Sequence, residues 1–130
     1  MRRYLLDTGS AGDYVNRRFG VVERAKAAKK LGHKIGIGIP VLAELYAGIE
    51  LSATAERNRS LLNRALSSLF IWPFDKIAAQ EYGRIFADLR RKGRPIQQID
   101  IQIASIALTL GNCTVVTKDS DYDAVVGLKT

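Results

Sequence analysis

Short apolar segments typical of buried strands alternate along this chain with longer segments in which apolar residues recur at helical spacing. The strand segments are 4–6, 35–39, 70–74 and 113–116. The helical segments are 21–31, 40–49, 54–69, 76–92 and 99–110. Because strands that are separated by helices are joined by crossover connections, this alternation predicts an α/β fold with a mainly parallel sheet.

The segments between these elements are predicted to be turns and caps. Residues 7–12 are rich in Gly, Ser and Asp and predict a turn, and residues 119–123 predict a loop. Asp75 is expected to cap the helix that follows it. Residues 125–128 are a candidate for a last short strand.

Composition sets the size of the fold and excludes several classes of protein. A chain of 130 residues with 47% hydrophobic residues can bury a core of its own, so residues 1–130 are expected to form one domain. Cys113 and His33 are each the single residue of their type, which excludes a disulfide scaffold and a Cys/His zinc site. The apolar run at Tyr4–Leu6 is too short for a signal peptide, and no segment is apolar enough to span a membrane, so we expect a cytoplasmic protein.

Positive charge is concentrated in two parts of the chain. The net charge is +7, with one basic stretch in 17–34 and another in 84–94. Such density favours binding of a polyanion, of which nucleic acid is the commonest in a cell. The alternative is that these are ordinary solvated helix faces, or surfaces for an acidic protein.

Four acidic residues lie where an acid is unusual. Asp7 and Asp119 each follow a predicted buried strand, and the carboxyl ends of parallel strands share the edge at which ligands usually bind. Glu44 and Asp100 each lie on a stripe of small or apolar residues in a predicted helix, where a charge is costly unless it is compensated. We therefore expect these four carboxylates to meet at one site.

Carboxylates that meet repel one another unless a cation neutralises them. Oxygen ligands without Cys or His select Mg²⁺ or Mn²⁺, which can activate water for attack on phosphorus. Three of the four acids also have a structural interpretation: Asp7 as the start of a turn, Asp100 as a helix N-cap and Glu44 as a surface residue. Near the C-terminus, any of Asp119, Asp121 and Asp123 could be the acid that reaches inward, and Asp121 is the main alternative to Asp119.

Four segments taken together resemble the PIN-domain nucleases, in particular the VapC-like toxins of bacterial and archaeal toxin–antitoxin pairs. They are Tyr4–Thr8, Pro40–Ile49, Ile99–Ala107 and Val115–Asp119. The resemblance covers nearly the whole chain in the same order. It implies a three-layer α/β/α sandwich around the parallel sheet.

The resemblance also implies a function, a magnesium-dependent endoribonuclease. Asp7, Asp100 and Asp119 would hold the metal, and Glu44 would orient or deprotonate the attacking water. Thr8 and Thr117 would support the carboxylates by hydrogen bonds. A homodimer and a cognate antitoxin protein are implied as well, and we expect the helices that follow residues 21 and 53 to contact one of them.

Two other functions remain open from the residues alone. One is a non-catalytic module that binds nucleic acid or a protein partner through the basic stretches. The other is a phosphatase with an aspartyl-phosphate intermediate, which is less favoured because the sequence after Asp7 lacks the second acid of an Asp-x-Asp pair.

Overall fold

Four strands form one wholly parallel sheet in the computed structural model, which describes residues 1–130. The strands are β1 (Arg3–Leu6), β2 (Lys34–Gly38), β3 (Phe70–Trp72) and β4 (Cys113–Val116). Their order across the sheet is β3-β2-β1-β4, so β1 lies inside the sheet and pairs with both β2 and β4. The predicted parallel sheet is confirmed.

Six helices flank this sheet and complete the predicted α/β/α sandwich. They are α1 (Thr8–Val15), α2 (Val21–Lys30), α3 (Ile39–Leu51), α4 (Ala55–Leu66), α5 (Lys76–Arg91) and α6 (Gln98–Leu110). A short 3₁₀ helix, Ser120–Ala124, follows β4. None of the helices combines the length and the apolar character needed to cross a bilayer.

The core lies between the sheet and the helices. Leu5, Ile37 and Val115 of the sheet are completely buried, as is Ala104 of α6. A Cβ atom on Gly38 would stand 2.6 Å from Ile106 Cδ1, so the absence of a side chain there is what allows α6 to pack closely on β2. This packing brings the first turn of α6 to the carboxyl edge of the sheet.

Residues 8–12 form the first part of α1 and Asp7 is its N-cap, so the prediction of a turn there is wrong. The Asp7 side chain accepts a hydrogen bond from the Ser10 backbone N–H (2.8 Å) and caps the helix, while Ala11 and Tyr14 are buried three residues apart. The glycines at 9 and 12 have low helix propensity and concealed this short helix in the sequence. Tertiary burial of one face outweighs that propensity.

The C-terminal segment also differs from its prediction. Residues 119–123, predicted as a loop, largely form the 3₁₀ helix. Residues 125–128 form no strand, and only an isolated bridge between Lys129 and Thr114 extends the sheet. The predicted cap at Asp75 is confirmed, since its Oδ1 accepts from the Ala78 N–H at 2.9 Å.

Candidate active site

Asp7 is held where β1 ends and α1 begins. One carboxylate oxygen accepts the capping bond from Ser10, and the other accepts from the Thr117 hydroxyl at 2.6 Å. Thr117 directly follows β4, the neighbouring strand of β1. The carboxylate is therefore oriented by groups from two adjacent strand ends.

Asp100 lies in the first turn of α6 and is partly buried. The N-cap position of α6 is occupied by Gln97, so Asp100 is not the N-cap. Its Oδ1 accepts a hydrogen bond from the hydroxyl of Tyr122 at 2.9 Å. Burial and then the charge of Asp100 raise the pKa of Tyr122 far above its usual range, so the hydroxyl keeps its proton and stays a donor.

The structure brings four aspartates into electrostatic contact at this edge. Burial is the largest cause that raises the pKa of Asp100, and the negative charges of Asp119, Asp7 and Asp121 raise it further. The Tyr122 hydrogen bond opposes this rise, and no cation is among the groups that act on Asp100. Both sequence candidates near the C-terminus thus belong to the same cluster.

Asp119 and Asp121 are arranged by local hydrogen bonds. Asp119 caps the 3₁₀ helix, and its Oδ1 accepts from the Asp121 N–H at 2.9 Å. The Asp119 N–H in turn donates to the Thr117 hydroxyl oxygen, also at 2.9 Å. Thr117 therefore links the backbone of the last acidic segment to the carboxylate of Asp7.

Glu44 does not lie on a core-facing stripe, and that prediction is wrong. Its side chain is exposed, as are the neighbouring residues Ala47 and Gly48, whereas Val41 and Ile49 form the buried side of α3. Because α3 is apolar on most of its circumference, periodicity could not show which side faces the core. Glu44 instead lines an open cleft of about 600 Å³ beside the start of α6, whose other lining residues include Gln97, Gln98 and Gln102.

Thr8 makes none of the hydrogen bonds expected of it. Its hydroxyl is buried and has no partner among the protein atoms. Thr8 is the first residue of α1, directly after the capping Asp7, and the two carboxylate oxygens of Asp7 accept from Ser10 and Thr117 instead.

Tyr122 is a site residue that sequence reasoning missed. It is 1% exposed and reaches Asp100 across 22 residues of chain. The sequence feature that could have indicated it is an aromatic residue between Asp121 and Asp123, in a segment whose other residues are polar and predict a loop. A buried tyrosine with a hydroxyl that needs a partner is a natural donor to a nearby carboxylate.

The residues present suit a hard cation that keeps much of its own water. The cluster offers carboxylate and hydroxyl oxygens and no sulfur or imidazole, which matches Mg²⁺ or Mn²⁺ and not zinc. No three acidic, histidine or cysteine side chains converge closely enough to enclose an ion. This does not conflict with Mg²⁺, which proteins usually hold through one or two carboxylates together with water and substrate phosphate.

Comparison with known proteins defines the class. Residues 4–128 match the family described as PIN domain. Ribonuclease VapC2 of Haemophilus influenzae is 31% identical over 130 residues, covering 100% of this chain and 97% of that protein. A crystal structure of VapBC2 from Rickettsia felis, bound to a DNA fragment from their promoter, superposes with a TM-score of 0.91 and 30% identity over 98% of this chain and 96% of that one.

The chain therefore belongs to the PIN-domain family, which confirms the resemblance seen in the sequence. Its similarity within that family is to VapC proteins over the full length. A further relative, the tRNA(fMet)-specific endonuclease VapC of Shigella flexneri, is 34% identical over 97 residues, which cover 75% of this chain and 74% of that protein.

Proposed function

We propose that this chain is a magnesium-dependent endoribonuclease and the toxin of a toxin–antitoxin pair. The observation that carries the proposal is the group of four aspartates at the carboxyl edge of the sheet: burial raises the pKa of Asp100 most, the charges of the other three raise it further, and no cation balances them. An arrangement that is unfavourable for the protein alone indicates a site for a cation. The similarity to proteins named as ribonucleases supports RNA as the substrate.

Asp7, Asp100 and Asp119, with Asp121 as the alternative to Asp119, would hold the metal together, one or two of them directly and the rest through water, since no three of these side chains converge closely enough to enclose an ion. Bound Mg²⁺, or Mn²⁺ in its place, would neutralise the carboxylates and the scissile phosphate and lower the pKa of a bound water. Thr117 keeps Asp7 oriented and Tyr122 keeps Asp100 oriented, so neither carboxylate has to reorganise when the substrate arrives.

Glu44 is proposed to orient the attacking water or to accept its proton. Its exposed carboxylate in the cleft beside α6 is open to solvent and to substrate, as a base that acts on water requires. Thr8 would act as a support only if its unpaired hydroxyl gains a partner when the site is filled.

The basic residues outside the acidic edge would draw the RNA backbone to the protein. With a net charge of +7, the surface attracts a polyanion even though the site itself is negative. The basic residues would bind the phosphates that flank the scissile one, and the carboxylates would remain free for the metal.

A groove between α1, α2 and α4 is the proposed place for the antitoxin. Its volume is about 110 Å³, and it combines apolar residues with a cationic rim. The apolar members include Val22, Leu61 and Ala65, and the cations are Arg17, Lys26, Lys29 and Arg64. Such a surface suits a partner segment that presents apolar and acidic side chains.

A homodimer is proposed through the exposed apolar side chains of α3 and α5. Large apolar side chains in water favour a protein interface when they are grouped. The exposed members are Ile39, Tyr46, Leu51, Ile77 and Phe86. Light scattering of the purified chain should give the mass of a dimer, and a monomer at every concentration would contradict this part of the proposal.

Cleavage of total cellular RNA tests the enzyme assignment. We expect cleavage in Mg²⁺, none in EDTA, and a loss of at least about 100-fold in Asp7→Asn and Asp100→Asn. Asp123→Asn is the matched control, since Asp123 is exposed in the same acidic segment but is not among the charges that act on Asp100. Cleavage that survives EDTA or both substitutions would refute the metal mechanism, and RNA binding without cleavage would favour the non-catalytic module.

A further inference from the structure

We propose that Phe19 and Lys118 form a nucleotide subsite beside the aspartates, in which a base stacks on Phe19 and Lys118 binds the adjoining phosphate. This inference rests on the proposed ribonuclease function and adds two residues that contact substrate. The proposal is carried by one cleft, one exposed aromatic ring and one exposed ammonium group.

The cleft joins the two residues to the acidic cluster. It has a volume of about 430 Å³, and its lining includes Asp7 and Asp119 of the acidic cluster together with Phe19, Lys118 and Asp13. A nucleotide whose phosphate lies at the carboxylate edge would therefore have its base or its next phosphate in this cleft.

Phe19 is presented to solvent by an unusual backbone. Its side chain is 65% exposed, and it belongs neither to the hydrophobic core nor to the side chains packed against it. The φ angles of Arg17 (+54°) and Phe19 (+56°) lie in the left-handed region, which is rare for residues with a side chain. A loop held in this conformation with an aromatic ring at its tip indicates a function outside the core.

Lys118 places its ammonium group over that ring. The Nζ atom is 4.1 Å from the centroid of Phe19 and 3.7 Å from Oδ2 of Asp13, and the side chain is 72% exposed. Because the Lys118 ammonium group is exposed and its 3.7 Å distance to the less exposed Asp13 carboxylate is long for an ion pair, a phosphate can compete with Asp13 for the ammonium group. Lys118 also lies directly between Thr117, which orients Asp7, and Asp119.

An aromatic face next to a cation is how many proteins bind unpaired nucleotides. Every base has a π face that can stack on an aromatic ring, while the cation follows the backbone phosphate. Lys118 covers one face of Phe19, and the high exposure of the ring leaves room for a base to stack. The competing explanation is that Phe19 contacts a protein partner. Cleavage and binding measurements on Phe19 variants distinguish base stacking from such a contact.

Steady-state cleavage kinetics test the role of Phe19. We expect Phe19→Ala to raise KM about tenfold with kcat within about threefold of wild type, and Phe19→Trp to restore KM, because tryptophan also stacks. Phe70→Ala is the matched control, since Phe70 is 48% exposed on the edge strand β3 outside this cleft. The same KM in Phe19→Ala as in wild type, or an equal rise in Phe70→Ala, would overturn the subsite.

A binding measurement that needs no cleavage tests the same contact. Hexauridylate in EDTA should quench the fluorescence of Phe19→Trp, whereas wild type, whose single tryptophan is Trp72, should show little quenching. If wild type cleaves no RNA but Phe19→Trp is quenched, the proposed function fails and the subsite stands. If wild type cleaves RNA and Phe19→Trp is not quenched, the subsite fails and the function stands.

The salt dependence of hexauridylate binding tests Lys118. Loss of one phosphate contact in Lys118→Gln should reduce the slope of log K against log salt by about 0.7. An unchanged slope would remove Lys118 from the subsite. If Phe19→Ala weakens binding of a protein partner and leaves RNA affinity unchanged, the cleft is a protein contact and the proposal is overturned.

Discussion

Charged side chains have different surroundings at the two ends of the parallel sheet. At the amino end, the Arg2 guanidinium donates to Thr114 Oγ1 at 3.0 Å, and that of Arg3 donates to the backbone oxygens of Gly111 at 3.1 Å and Leu110 at 3.4 Å. These cations bind neutral oxygen acceptors that tie β1 to β4 and to the end of α6. Charge-assisted hydrogen bonds of this kind are stronger than neutral ones and contribute to stability.

At the carboxyl end, charges of the same sign are held together. The carboxylates of Asp7 and Asp100 have one hydroxyl donor each, from Thr117 and Tyr122, and Asp100 is affected by three other aspartates. The amino end of the sheet is therefore stabilised by the hydrogen bonds of its arginines. The carboxyl end keeps aspartates together in an arrangement that is unfavourable for stability but suited to chemistry. Stability and activity should therefore respond to different residues.

Among the substitutions that separate stability from activity, the largest effect is expected from Arg3→Met at the amino end. Loss of charged hydrogen bonds to two carbonyl oxygens should lower the free energy of unfolding by about 2 kcal/mol, while RNA cleavage per folded molecule stays as in wild type. Urea denaturation and cleavage assays on the same samples check this. Arg57→Met, at an exposed position of α4, is the control, and an equal loss of stability there would show that Arg3 has no special role.

Tyr122→Phe should produce a smaller effect at the carboxyl end, a loss of about tenfold in kcat/KM, which corresponds to about 1.4 kcal/mol. The Tyr122 hydrogen bond lowers the pKa of Asp100, so its removal raises that pKa and moves the acid limb of the pH profile to higher pH. The control is Tyr14→Phe, which removes a buried hydroxyl bonded to Ser68 instead. An acid limb that does not move would exclude this positioning role.

The smallest effect is expected from Asp100→Asn, which should change the free energy of unfolding in a way that depends on pH. The pKa of Asp100 is raised by folding, so its ionised form opposes folding at neutral pH, and this cost disappears as pH falls through the raised pKa. Asp100→Asn should therefore be more stable than wild type near neutral pH, by at most ~1 kcal/mol since solvent screens the charges. The two should converge in acid.

Thermal unfolding of Asp100→Asn and wild type across this pH range is the measurement, with Asp123→Asn as the control that should show no such difference. A stability gain that persists unchanged in acid would mean that the substitution acts through packing and not through charge.

Much of the architecture could be predicted because its signals are local. The apolar segments at 4–6 and 113–116 and the helical stripes between them indicate parallel strands with crossovers, and this rule placed Asp7 and Asp119 at one edge. Helix α1 was not predictable in this way, because its glycines resemble a turn and its stability comes from burial of Ala11 and Tyr14. The position of Glu44 was predicted wrongly because α3 is apolar on most sides, so its sequence does not show which side faces the core.

The sequence by itself determined the alternation of strands and helices, the excess of cations and the supply of oxygen ligands without sulfur or imidazole, since these depend on residue type and spacing alone. Only the tertiary structure decided which groups meet. The Thr117 hydroxyl reaches Asp7 across 110 residues, and Tyr122 reaches Asp100 from beyond β4. Hydrogen bonds between such distant positions depend on how the elements pack, and no local pattern in the chain encodes that packing.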